Sequence, residues 1–200
     1  FDMFYHEHFS YFSLFTVKKI FESVNLEIFN VEESSVHGGS LRLFLKADTN
    51  KEILINENVK KLLKKEKDYG LQEISTYLKF QKNVEKSKKS IQEFFIKSKE
   101  QKKKIVCYGA AAKGNTVLNY CKISKDHIDY VVDISPHKQG KYMPGTHIPI
   151  FSPEKIKETK PDYVVILAWN LKEEIIQQIN FINDWGGKFV VLIPEVRILE

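Results

Sequence analysis

Two stretches of this chain carry residue types suited to chemistry, one at the amino end and one past the midpoint. The first, Phe1-Asp-Met-Phe-Tyr-His-Glu-His-Phe-Ser-Tyr-Phe12, sets two histidines, a glutamate and two tyrosines among phenylalanines. Titratable groups in a partly apolar setting change their proton affinity readily. A histidine held by a carboxylate is the usual general base near neutral pH, and a tyrosine hydroxyl can donate to a developing oxyanion. The H-x-H spacing could also ligate a metal, but no cluster of Cys or His stands nearby to complete a shell. Taken alone, the segment reads first as an aromatic loop with satisfied hydrogen bonds. The second stretch is Ile105-Val-Cys-Tyr-Gly-Ala-Ala-Ala-Lys-Gly-Asn-Thr116, an apolar run that ends in small residues and passes into the helically spaced Val117-Leu-Asn-Tyr120. The pattern is strand, tight turn, helix. Gly109, Ala111 and Gly114 stand at the three positions of the G-x-G-x-x-G phosphate cradle, with a methyl group at the middle one that narrows the approach to a pyrophosphate. Asp133, 19 residues after Gly114, closes the apolar run Ile128-Asp-Tyr-Val-Val-Asp133, where the ribose-binding acid of that fingerprint would stand. The plainer alternative is an α/β unit with the small-residue turn it needs, Asp133 merely ending a strand.

The elements that must position these groups follow from periodicity. Ser13 is a candidate N-cap for a helix through Val17, Ile20, Phe21 and Val24, and Leu26–Val31 and Ser40–Leu45 alternate as half-buried strands. Between the strands, His37-Gly-Gly-Ser-Leu-Arg42 sets a flexible backbone beside His37 and Arg42, which suits a phosphate or a sugar hydroxyl as well as it suits a simple turn. From Glu57 to about Gln101 the spacing is helical, broken at Gly70, with one apolar stripe that could pack on two domains. Beyond Asp133, a polar loop carrying His137 and Lys138 lies at the carboxyl end of a strand, where ligands of open sheets bind; these side chains could meet phosphate or base, or face solvent. Asp162–Ala168 reads as a buried strand, with Trp169 and Asn170 at its carboxyl end. Trp169 suits either core or a stacked base, and Asn170 with Glu173 matches a capping box. A helix through Ile175, Ile176, Ile179 and Ile182 and a last strand, Phe189–Pro194, complete an alternation that implies a doubly wound parallel sheet.

Composition narrows the class. The 200 residues, 42% of them hydrophobic, suffice for one large or two small cores. No apolar run reaches the ~20 residues needed to span a bilayer. The chain opens at Phe1 in what reads as the middle of a motif, so a longer polypeptide is expected. Its two cysteines lack metal-ligand spacing, which is simplest in a reduced, cytoplasmic setting. The net charge of +5 comes largely from a lysine-rich stretch without the arginines and aromatics of a nucleic-acid surface, so a solvated helix face is expected and no nucleic-acid partner.

Six blocks in order, Tyr5-His-Glu-His-Phe-Ser-Tyr, His37-Gly-Gly-Ser-Leu-Arg, Tyr108-Gly-Ala-Ala-Ala-Lys-Gly-Asn-Thr, Asp133 with Pro136-His-Lys-Gln-Gly, Trp169-Asn170 and Pro194-Glu-Val-Arg197, closely resemble the three-domain sugar C-methyltransferases. Those enzymes use S-adenosylmethionine to methylate a carbon next to the keto group of a nucleotide-linked 4-keto-deoxysugar, typically a dTDP sugar. The resemblance implies residues 1–56 as the end of a methyltransferase-type α/β domain, 57–104 as a helical linker and 105–200 as a Rossmann-like nucleotide-sugar-binding domain. The family's zinc-binding N-terminal domain and its adenosylmethionine loop would lie upstream, with no metal ligand in this chain. By motif, His8 would be the base, Glu7 would orient or tune the site, and Tyr5 would stabilise the enolate. Gly109, Ala111, Lys113, Gly114, Asn115 and Thr116 would hold the pyrophosphate or its flanking groups, and Asp133 a ribose hydroxyl. Oligomeric state is not implied.

Overall fold

The computed structural model describes residues 1–36 and 39–199. By its contacts the chain divides into two compact units, Ser10–Lys82 and Phe1–Phe9 together with Asn83–Glu200.

In the 10–82 unit, helix α1 (Leu14–Glu22) starts at Ser13, whose Oγ accepts from the Thr16 N–H at 3.2 Å, as the sequence predicts. Strands β1 (Leu26–Ser34) and β2 (Ser40–Ala47) form an antiparallel two-stranded sheet, and α2 (Glu57–Tyr69) ends at Gly70 in a left-handed conformation. The register slips between Ile28 and Asn30. This irregularity brings Ile28 and Val31, three positions apart, onto one buried face with Leu14, Val59 and Leu62. The buried Glu66 carboxylate of α2 caps α1, accepting from the Leu14 N–H at 2.6 Å and the Phe15 N–H at 2.9 Å.

Helix α3 (Ile74–Glu100) leads to the other unit, where its buried Ile91 and Phe95 join a sheet core. That sheet comprises β3 (Ile105–Tyr108), β4 (Val131–Val132), β5 (Ile150–Phe151), β6 (Tyr163–Ile166), β7 (Lys188–Val191) and β8 (Arg197–Leu199). Their order, β5-β4-β3-β6-β7-β8, reverses direction between β3 and β6, as a Rossmann-like sheet does. Alternation along each strand feeds two cores. Cys107, Val165 and Val190 face the side of α3 and α4 (Ala112–Tyr120), while Val106, Val164, Ile166 and Phe189 meet α5 (Lys155–Thr159) and α6 (Lys172–Gln178) on the other.

Three expectations are corrected. The sheet is not wholly parallel: Phe189–Pro194 does not supply the last strand, because β8 follows and pairs antiparallel with β7. The helix expected through Ile182 leaves α geometry at Ile179 and continues as a 3₁₀ turn over Asn180–Trp185, which keeps Ile175, Ile179 and Ile182 all buried. The capping box also fails to form. Residues 169–171 are a 3₁₀ turn, α6 starts at Lys172 without a side-chain cap, and the Asn170 amide oxygen instead accepts from Lys113 Nζ at 3.3 Å.

Cys107 and Cys121 are free and buried. Burial raises both thiols, Cys107 far above its ordinary range and Cys121 up to about 11, with Lys88 drawing Cys121 back slightly. The folded chain thus holds these protons more tightly than the unfolded chain, whose thiols titrate near ~8.5. Linkage then makes stability fall as pH rises through that value towards the folded one. Iodoacetamide at pH 8 is expected to label neither thiol of the native chain appreciably and both after denaturation, read by mass spectrometry. No helix among the described residues is long and apolar enough to cross a membrane. Nor does any group of three or more His, Cys, Asp or Glu side chains among them suit a metal ion.

Candidate functional site

The turn after β3 is built by close packing. Gly109 has a φ of +94°, and a Cβ there would stand 3.3 Å from the Ala168 Cβ at the exit of β6. Gly114, in the first turn of α4, leaves no room at all: an added Cβ would lie 2.5 Å from the Leu167 Cβ. The outer two fingerprint positions therefore serve a left-handed turn and helix-on-strand contact. Ala111 stands at the N-cap of α4 and offers no capping side chain to the first-turn N–H groups. An uncapped helix start of this kind is a natural partner for an anionic group.

Asp133 is already heavily engaged. Its carboxylate, on a residue only 6% exposed, accepts from the Ala110 N–H at 2.8 Å, the Ser135 N–H at 2.8 Å and Lys138 Nζ at 3.0 Å. Lys138 Nζ also donates to the Ala110 carbonyl at 2.9 Å. One acid and one base thus clamp the Ala110 peptide from both ends.

Beside this turn opens a cleft of about 430 Å³. One wall is Ala110, Ala111, Ala112, Asn115 and Thr116; another is His137, Lys138 and the loop Lys141-Tyr-Met-Pro144; the amino-terminal segment contributes Tyr5, His6 and Glu7. Two stretches distant in sequence therefore share one cavity. The Tyr5 hydroxyl lies 3.1 Å from His8 Nε2, with ring centroids 4.3 Å apart. Glu7 stands 3.9 Å from His6 Nε2, both side chains largely exposed.

The remaining predicted residues are distributed otherwise. Lys113 is buried, with Nζ 4.8 Å from the centre of the Trp169 ring as well as bonded to Asn170. The Trp169 N–H donates to Asp2 at 2.7 Å. Arg42 belongs to the 10–82 unit, on β2, where it pairs across the hairpin with Glu32 at 3.3 Å. His37 lies outside the described residues. Sequence reasoning missed Asp2; it set the polar loop 134–146 at a ligand-binding strand end but named only His137 and Lys138 from it. Asn119 was also missed; its amide donates to the Asn115 and Pro144 carbonyls at 2.9 and 3.1 Å and moors that loop to α4. The Pro144-Gly145 turn signal marked the loop; nothing marked Asp2.

Residues 35–194 match the profile of the family described as C-methyltransferase C-terminal domain. The chain belongs to this family. The matched span includes the Gly109 turn, Asp133 and Trp169. The chain is also 37% identical, over all 200 of its residues, to the C-methyltransferase NovU of Streptomyces niveus. It spans about half of that relative, 47% of its length. The segment Tyr5–His8 lies before the family match but within this longer alignment.

Proposed function

We propose that this chain is the C-terminal part of an S-adenosylmethionine-dependent C-methyltransferase, and that its cleft holds a nucleotide-linked 4-keto-deoxysugar, with dTDP the first carrier to test. The observation that carries the reading is the shared cavity: Tyr5, bonded to His8, lines the same cleft as the uncapped start of α4. In that cleft the diphosphate lies against the start of α4 at Ala112, where the helix dipole favours an anion and the Lys113 ammonium, held by Trp169 and Asn170, adds positive charge to the same turn. Asn115, Thr116 and His137 supply side chains to its flanking groups. Asp133 and Lys138 hold the turn, and Asp133 keeps acceptor capacity for a ribose hydroxyl beyond its three protein donors. His37 and Arg42 remain candidates for sugar or phosphate in the assembled enzyme.

His8 removes the proton from the carbon next to the ketone. With the imidazole neutral and its proton on Nδ1, Nε2 accepts from Tyr5 in the free chain. Substrate displaces that bond, leaving Nε2 to take the carbon-bound proton and the Tyr5 O–H to donate to the enolate oxygen. Glu7, on the cleft wall beside His6, orients or tunes the site. S-adenosylmethionine, when bound, would supply an electrophilic methyl group and leave as the thioether S-adenosylhomocysteine. No residue of this chain is assigned to that donor. Zinc is assigned to the family's N-terminal domain, and α3 to the helical connector, since α2 belongs to the core of the 10–82 unit.

Binding and turnover separate experimentally. Titrating this chain with dTDP, UDP, GDP and NAD, followed by calorimetry, is expected to show binding of a nucleoside diphosphate and no methyl transfer by the chain alone. Saturation by NAD with no response to the diphosphates would overturn the carrier assignment.

A further inference from the structure

We propose that Asp2 and Trp169 form a latch that sets the position of the Tyr5–His8 segment in the cleft, making both of them positioning residues for proton removal; this rests on the reading of Tyr5 and His8 given above. Asp2 is only 5% exposed, and a carboxylate taken out of water must be met by donors. The Trp169 indole N–H meets it at 2.7 Å, a charge-assisted bond. Trp169 stands just beyond the carboxyl end of β6, at the reversal point of the sheet, and Lys113 of α4 covers its ring. The indole is thereby held from the fold side and grips the segment from its N–H edge. That use of the ring differs from stacking on a base.

Two weaker contacts run in the same direction. The single Thr116 hydroxyl proton is shared between the Ala112 carbonyl at 3.2 Å and the Phe4 carbonyl at 3.3 Å, and the Phe1 and Tyr120 rings stand 5.3 Å apart. All three attachments fall on residues 1–4, directly before Tyr5, and the His8 N–H closes a turn onto the Tyr5 carbonyl at 2.9 Å. A segment tied down upstream and turned on itself delivers its hydroxyl and imidazole to one place. The latch pairs a buried charge with a rigid ring. Losing it frees the reacting groups to wander, and misplacement on the scale of 1 Å can lower a rate by ~10²-fold.

The test uses the intact methyltransferase that carries this chain, with Trp169→Phe, Asp2→Ala, Asp2→Asn and the double variant Asp2→Ala/Trp169→Phe. Trp169→Phe keeps an aromatic ring and removes only the donor. Hydrogen exchange of peptides covering 1–9 is expected to quicken in Trp169→Phe and Asp2→Ala, with peptides covering 105–120 unchanged. Turnover should fall about tenfold, with KM for the nucleotide sugar within about twofold, because the carrier still docks on α4. The double variant should be no slower than either single one. Asp2→Asn, which keeps an oxygen that can accept, should recover most of the rate. Unchanged exchange in 1–9 overturns the latch. So does quickened exchange with normal turnover, a rise in KM alone, or losses that multiply in the double variant. A normal rate for His8→Ala would sink the base assignment by itself, while exchange in 1–9 reports the latch whichever group is the base.

Discussion

His8→Ala in the intact methyltransferase is expected to lower kcat by about 10²-fold or more, the range a positioned general base supplies. Tyr5→Phe should do likewise, since losing one donor to a developing oxyanion typically lowers kcat by ~10²–10³-fold. With the carrier held elsewhere in the cleft, as proposed, KM for the nucleotide sugar should change little in either variant. That pattern, kcat and kcat/KM falling together, marks an interaction made only as the reaction proceeds. The 3.1 Å contact between the two side chains adds a constraint. Groups that act as a unit are not additive, so Tyr5→Phe/His8→Ala should be little slower than His8→Ala alone. Steady-state rates against nucleotide-sugar concentration check this, and near-normal turnover in His8→Ala rejects the assignment.

The second large effect is structural in origin. Gly114→Val is expected to lower the melting temperature of this chain by roughly 5–10 °C and to abolish nucleoside diphosphate binding measured at the native temperature. Replacing a helical glycine ordinarily helps, by ~1 kcal/mol for alanine. Here the new Cβ meets the Leu167 Cβ at 2.5 Å and its Cδ1 at 2.9 Å. The first of these atoms is fixed to the strand exit and cannot swing away, so α4 or β6 must shift. Overpacking of this kind costs about 1–3 kcal/mol, more than the helix gains. The shift falls in the first turn of α4, whose N–H groups are assigned to the diphosphate, so affinity should fall before the fold is lost. Thermal unfolding followed by circular dichroism, paired with calorimetric titration of dTDP, separates the two effects. Unaltered affinity would show that the phosphate does not lie on this helix start.

The sheet was legible in the sequence wherever strands were long and wholly apolar. Ile105–Tyr108 and Tyr163–Ile166 are central strands buried on both faces, and their β-branched runs announce them. Ile150–Phe151 and Arg197–Leu199 were not legible, because two or three residues carry no periodicity and edge strands owe their pairing to neighbours. The Gly109 turn was found from its glycines, but their separate tasks were not, since a missing Cβ is explained only by what packs against it. Asn170 shows a local signal losing to a tertiary one: a capping box was available in sequence, and a buried lysine ammonium claimed the amide instead. Trp169 was ambiguous for a related reason. Its partner Asp2 lies 167 residues away, beyond any window in which spacing carries information.

That separation bears on how the protein comes into being. The Asp2 to Trp169 bond spans 167 residues, and the Thr116 to Phe4 bond 112. Contacts between such distant positions bear a large loop-closure entropy and tend to form late. During synthesis, the stretch bearing Tyr5 and His8 leaves the ribosome well before the strand that will anchor it. A nascent or truncated chain therefore displays the Tyr5 and His8 side chains before the partners of Asp2 and Phe4, at Trp169 and Thr116, are in place to hold the segment that precedes them.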